Sequence, residues 1–419
     1  MRAASGLWAN TDFLKLWAGE TVSVFGSLVG RTALPFAAIL VLDARPFQIA
    51  LLAAADIVPG LLVGLVAGVW VDRLRRRPIL IAADIGRAAL LCSIPLAYAL
   101  DMLHIEQLYA VAFLAGVLTM FFDVAYLSYL PSVVRREELL EGNSKLAASS
   151  SMAEVGAFGV AGWLVQLLTA PVAILIDALS FLFSALFVSW IRSPEPAPAA
   201  SERQSIRREI AEGVRLVVGD PLLRATAGSV VTADFSFRVF GTVFLLFAVR
   251  DLGFHPGILG MIFAVGGVSS LLGSLVAGRS ARRLGTGTTM VGGVLLMGLS
   301  MLFVPLAQGA TVLAAALLLA QQLMGDGAFT VYEINQVSLR QAITADRLLG
   351  RVNASIRFAG LAAMLVGALV GGLLGETIGL RATLVVGAGG LCLGALWLAL
   401  SPVRGLRSAP VGYVGTPAA

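Results

Sequence analysis

Chemically versatile side chains are scarce in this sequence of 419 residues: it has two cysteines, two histidines and two lysines, and only 13% of its positions are charged. Each scarcity excludes something. Cys92 and Cys392 stand far apart inside apolar runs, which argues for packing residues and against a disulfide or thiolate metal pair. His104 and His255 sit in short breaks between such runs with no ligand spacing around them, so no metal centre is expected. Neither Lys15 nor Lys145 belongs to a G-x-x-x-x-G-K-[ST] phosphate loop, so ATP hydrolysis and a bound cofactor are not expected. No nucleophile–base constellation is visible, which argues against a membrane enzyme. The start, MRAASGLWANTDFLKLW, is too polar and aromatic for a cleavable signal, so the first apolar run is expected to be retained.

What the chain has in abundance is apolar surface. It is 58% hydrophobic with a mean hydropathy of +0.89, outside the range of soluble domains. A bilayer-spanning helix needs about 20 mostly apolar residues. Twelve such runs are read, at 13–42, 46–71, 78–100, 107–134, 143–169, 171–192, 223–249, 255–278, 287–308, 311–338, 349–377 and 381–402. The fold class is an all-α membrane protein with the lipid bilayer as its surroundings. The net charge of +5 is read by location, as a topology signal rather than a nucleic-acid or other anion site.

Lysine and arginine alternate sharply between the breaks. One side carries 23 of them, including Arg73, Arg76, Arg77, Arg135, Arg136, Arg282, Arg283, Arg347 and Arg351, whereas the other carries only Arg45, Arg250 and Arg381. Both termini are therefore expected in the cytoplasm. The one long polar break, 193–222, begins with SPEPAPAAS and continues with Ile206, Ile210, Val214 and Val217 at helical spacing. It reads as a linker carrying an amphipathic helix on the cytoplasmic face. It separates six-span halves at 1–192 and 223–419. A repeat supports the division: Leu65-Val66-Ala67-Gly68 with Arg73 recurs 210 residues later as Leu275-Val276-Ala277-Gly278 with Arg283.

The first of these hinges, GVWVDRLRRR over 68–77, places Gly68, Asp72, Arg73, Arg76 and Arg77 at G-x-x-x-D-R-x-x-R-R spacing. This resembles the loop between the second and third spans of major facilitator superfamily transporters. FFDVAYLSYLPSVVRREELLEGNSKL and TAPVAILIDALSFLFSALFVSWIR, within 121–192, are similar to the bacterial exporter branch related to the enterobactin exporter and macrolide efflux pumps. The resemblance implies the twelve-helix major facilitator fold in a bacterial inner membrane. It also implies a monomer that exports a small amphipathic organic molecule by proton antiport, using alternating access. A lipid flippase or facilitator of the same fold is the alternative.

Two departures qualify it. Arg282 stands where the second hinge would carry the acid, so an acid-dependent latch rests on Asp72, expected near Arg347 and Arg351. The fifth span lacks the Gly-Pro pair of the antiporter motif.

Ionisable residues inside spans are costly and default to functional candidates. The resemblance implies that spans 1, 4, 7 and 10 line the cavity. These spans carry Glu20, Arg31, Asp123, Asp234, Arg238, Asp326 and Glu333, with Tyr126, Phe235 and Tyr332 as aromatic candidates for a substrate wall. Asp326, flanked by Gly325 and Gly327, leads the proton-coupling candidates, followed by Asp234, Glu333 and Glu154. Asp84 with Arg87, and Asp177, read as structural.

Overall fold

The computed structural model describes residues 7–64, 70–71, 73–195 and 206–408, with backbone alone at 154–155 and 206–210. Among these residues every regular element is helical. Ten helices are long and apolar enough to cross a membrane. The expected fifth span is a bent helix, Leu139–Leu168, whose two parts qualify together. The expected second span appears as Pro46–Leu62, short of the crossing length, and leads towards residues 65–69, which lie outside the described residues.

The helices, in chain order, are α1 (Thr11–Leu40), α2 (Pro46–Leu62), α3 (Arg76–Ala99), α4 (Ile105–Val133), α5 (Leu139–Leu168) and α6 (Ala170–Ser189). They continue as α7 (Ile206–Gly219), α8 (Pro221–Leu246), α9 (Pro256–Leu284), α10 (Thr286–Met301), α11 (Val312–Ile343), α12 (Asp346–Thr377) and α13 (Leu380–Ala399). Local chemistry sets their starts. The Asn10 side chain accepts from the Asp12 and Phe13 N–H groups at 3.1 Å, capping α1. Asp220 does the same for Leu222 and Leu223 at the head of α8, where Pro221 occupies the first helical position.

The chain forms two compact units: Met1–Ala44, Ala55–Glu202 and His255–Met261 in the first, and Arg45–Ala54, Arg203–Phe254 and Ile262–Ala419 in the second. In the first, α1 packs on α5 and α6, and α3 packs on α4 and α6. In the second, α8 packs on α12 and α13, and α10 packs on α11 and α13. Counted by span, these are the same four pairs.

The register matches as well. Gly19 on α1 lies against Ser184 on α6, and 210 residues later Gly394 on α13 lies against Ser229 on α8. Gly26 against Ser180 is repeated as Gly390 against Ser236, and Gly30 against Asp177 as Gly387 against Phe240. The glycine changes helix between units, but each close approach keeps its position. Asp43 and Thr169 hold positive φ of 50° and 82° at connections where the second unit has Gly253 and Gly379, at 76° and 86°.

The linker helix α7 exists as expected, but its inward face differs. Gly213 is buried against the Arg351 backbone and Ser355 of α12, Leu216 and Val217 pack on the second unit's core, and Val214 is 47% exposed. The Glu212–Arg351 ion pair also ties α7 to α12, on the flank of the glycine. Ile206 and Ile210 fall among the residues described by backbone alone.

Candidate functional site

The first unit buries charge deep between its helices. Asp84 and Arg87, one turn apart on α3, form an ion pair with exposures of 0% and 4%. Burial at this depth requires partners. The Arg87 guanidinium lies 4.3 Å from the Phe122 ring centroid of α4 and 4.0 Å from that of Phe181 on α6. Thr119 sits 3.5 Å from its Nη1. Cation–π contact on two faces holds the charge in place.

Asp177 of α6, also buried, is within electrostatic range of Arg87 and accepts from the Ser180 hydroxyl at 3.4 Å. It fits because Gly30 of α1 leaves the room: a Cβ there would overlap its carboxylate. Glu20 of α1, only partly buried, is in range of Arg87, Asp84 and the exposed Asp123 of α4. The structure thus joins Glu20 to residues that spacing alone read as a local pair and a separate structural acid. Tyr126 stacks on Phe122 at 5.9 Å, and its buried hydroxyl has no hydrogen-bond partner. Arg31 is exposed.

In the second unit the candidate residues gather around α11. Asp326 accepts from Gln322 at 3.3 Å and faces Gly266 of α9, where a Cβ would collide with its carboxylate. Asp234 of α8 faces Gly360 of α12 and is in electrostatic range of the exposed Glu333. Tyr332, expected on a substrate wall, lies in the unit's hydrophobic core at 3% exposure, its hydroxyl 3.2 Å from Ser229 Oγ. Phe235 and Arg238 are half-buried on α8. Glu154 lies where only the backbone is described.

At the hinge, Gly68 and Asp72 lie outside the described residues. Arg73 is exposed. Arg76 and Arg77 form the first turn of α3, and the Glu195 carboxylate accepts their backbone N–H groups, at 2.5 and 3.3 Å. A carboxylate is favoured at a helix N-terminus. Arg77 also donates to the Ser189 carbonyl and, at 3.2 Å, to that of Val188, at the end of α6. No sequence spacing links Glu195, a lone acid between prolines in SPEPAPAAS, to the helix start that it caps more than 100 residues away. Arg351, a proposed neighbour of Asp72, is paired with Glu212 of α7.

Comparisons with known proteins agree with this architecture. The family description Major Facilitator Superfamily matches residues 21–237 and 226–415. The MFS-type transporter YfiS of Bacillus subtilis (strain 168) is 24% identical over 383 residues, 89% of each chain. The MFS-type transporter y4rN of Sinorhizobium fredii (strain NBRC 101917 / NGR234) is 26% identical over 301 residues, covering 71% of this chain and 72% of its own. Among solved structures, a bacterial homologue of the iron transporter ferroportin in its inward-facing state superposes with a TM-score of 0.75 at 16% identity, covering 93% of this chain and 98% of its own. The nucleoside transporter NupG gives 0.74 at 13% identity, covering 93% and 98%. At these identities the structures speak to fold alone.

Proposed function

Because the chain belongs to the major facilitator superfamily, we propose that it is a secondary transporter that exports a small amphipathic organic compound in exchange for protons. The observation that supports this most is the set of carboxylates held within membrane-crossing helices, with Asp326 facing α9 and Asp234 facing α12. Embedded acids at such positions are expensive unless they bind something, and a proton is the smallest ligand that removes the cost. The chain carries no phosphate-binding loop, which leaves an ion gradient as the source of drive.

Two half-buried aromatics, Phe235 next in sequence to Asp234 and Tyr126 in range of Glu20, suit an amphipathic substrate, cationic at one end. The fold does not choose among substrates, since its solved neighbours include proteins named for nucleosides and for iron. The setting that fits this reading is a bacterial inner membrane, with a monomer whose termini both face the cytoplasm. Asp326, Asp234, Glu333 and Glu154 are the coupling candidates. Glu20, Arg31, Asp123, Arg238, Tyr126, Phe235 and Tyr332 belong to the substrate path, and Asp72 is the latch acid at the hinge. The buried position of Tyr332 restricts its part to supporting the wall from behind.

The test is transport by the purified protein in proteoliposomes, using a panel of toxins and siderophores first screened in a pump-deficient host. An imposed pH gradient is expected to drive movement of the accepted compound, and Asp326→Asn to abolish that drive. Transport that continues unchanged after the gradient is collapsed would instead identify a facilitator or flippase.

A further inference from the structure

The buried ions of the first unit have no counterpart in the second. Glu20, Asp84, Arg87 and Asp177 correspond, 210 positions on, to Val230, Val294, Met297 and Gly387. The second unit forms the same four helix pairs with these apolar residues. Packing of this repeat therefore needs no charge at the four positions, and the first unit bears the desolvation cost of its ions for another purpose.

The charges do not balance. Among the described residues one guanidinium, permanently protonated, serves three carboxylates: Asp84 and Asp177 in the interior and Glu20 at its edge. Arg87 is clasped between Phe122 and Phe181 and bonded to Asp84, so it is not free to shuttle among them. Within this interior Asp84 Oδ2 and Arg87 Nε are buried without a hydrogen-bond partner, and the Ser184 hydroxyl lies beside Asp84 without closing one. The fully buried oxygen of Asp84 is an unused acceptor inside the cluster. Among the described residues, the other titratable groups in range are the exposed Asp123 and the Tyr126 phenol of α4, both facing Glu20. Neither adds a positive charge. Among the described residues no three acids, histidines or cysteines converge as a metal cage.

We propose that Glu20, Asp84 and Asp177 around Arg87 hold one exchangeable proton, shared across the set and reached through the partly accessible Glu20. A shared proton in a coupled set has apparent titration steps that belong to the cluster rather than to one acid. That the proton helps to drive transport rests on the antiport reading above, whereas its presence does not. Loading would occur at Glu20, and Asp84 Oδ2 or Asp177 would retain the proton in the interior. No bond other than O–H is made or broken.

The experiment is infrared titration of the carboxyl bands of the full chain in lipid nanodiscs, without substrate. The wild type should show a protonated-carboxyl band that disappears as pH rises, and Glu20→Gln and Asp177→Asn should each change its amplitude and midpoint. Glu20→Gln, at a partly accessible position, serves if the interior variants do not fold. Wild-type titration in Glu20→Gln and in every variant that folds would overturn the proposal. A band that responds to these substitutions while transport ignores the pH gradient would uphold the proton site and remove antiport. Proton-driven transport with an unresponsive band would remove the site alone.

Discussion

The two units share a framework and differ in what they bury. Each packs its first helix against its fifth and sixth and its third against its fourth and sixth, with close approaches at matching positions. In the first unit the glycines of those approaches lie on α1, and the opposing helix α6 carries Ser180, Ser184 and Asp177. In the second they lie on α13, and α8 carries Ser229, Ser236 and Phe240. The difference teaches that a close helix contact needs one small residue without specifying which helix supplies it. The choice then decides which helix can carry a bulky or charged side chain into the contact. Gly30 makes room for a carboxylate, and Gly387 makes room for a phenyl ring.

Exchanging these elements tests the comparison. The largest effect is expected from Arg87→Met, which gives the first unit the second unit's residue but leaves Asp84 and Asp177 without their cation. Removing one partner of a buried ion pair costs about 3–5 kcal/mol. Thermal unfolding in micelles should show that loss. Adding Glu20→Val, Asp84→Val, Asp177→Gly and Gly30→Phe completes the exchange of the ions and should recover most of it. A full exchange no more stable than Arg87→Met would mean that the frameworks are not interchangeable.

Gly30→Ala comes next. Its added methyl overlaps the Asp177 carboxylate, and overpacking of this kind costs about 1–3 kcal/mol. The same substitution at Gly292, where a Cβ meets nothing within 4 Å, should not destabilise the protein, and equal losses at both would refute the steric argument.

A smaller change of opposite sign is expected at Thr169. It holds φ 82° and ψ 156°, a conformation that glycine adopts freely and that Gly379 adopts in the second unit. Thr169→Gly should stabilise by roughly 1 kcal/mol, the strain relieved less the entropy that glycine adds to the unfolded chain. A drop in melting temperature would show that the threonine side chain contributes more than its backbone strain costs.

The smallest effect belongs to the linker. Glu212 and Arg351 are 44% and 28% exposed, and such pairs contribute about 0.2–1 kcal/mol. Glu212→Gln should barely move the melting point. Gly213→Val, which places a branched side chain against the Arg351 backbone, should free α7 from α12 and raise its proteolysis. Equal protease sensitivity in the two variants would refute the view that the glycine seat, rather than the ion pair, holds the helix.

Much of this was legible in the residues themselves. Apolar run length located the spans, and the repeat between the two hinges at a 210-residue offset recurs in the structure as matched contacts from Gly19 against Ser184 to Gly30 against Asp177. The linker helix was legible in its periodicity. Its docked face was not, because Gly213 has no hydrophobic signature and the seat depends on α12. The ion cluster was legible only in pieces. Asp84 and Arg87 sit one turn apart and announce a pair, but Glu20 and Asp177 lie on other helices, and no local pattern links them.

By itself the sequence determined that the protein is a multi-pass helical membrane protein built on an internal repeat, because bilayer thickness and backbone hydrogen bonding act on each span separately. Only the tertiary structure decided which embedded charges meet. Their partners are chosen by helix packing, where a single missing Cβ at Gly30 admits a carboxylate to the interior and its counterpart, Gly387, admits a ring.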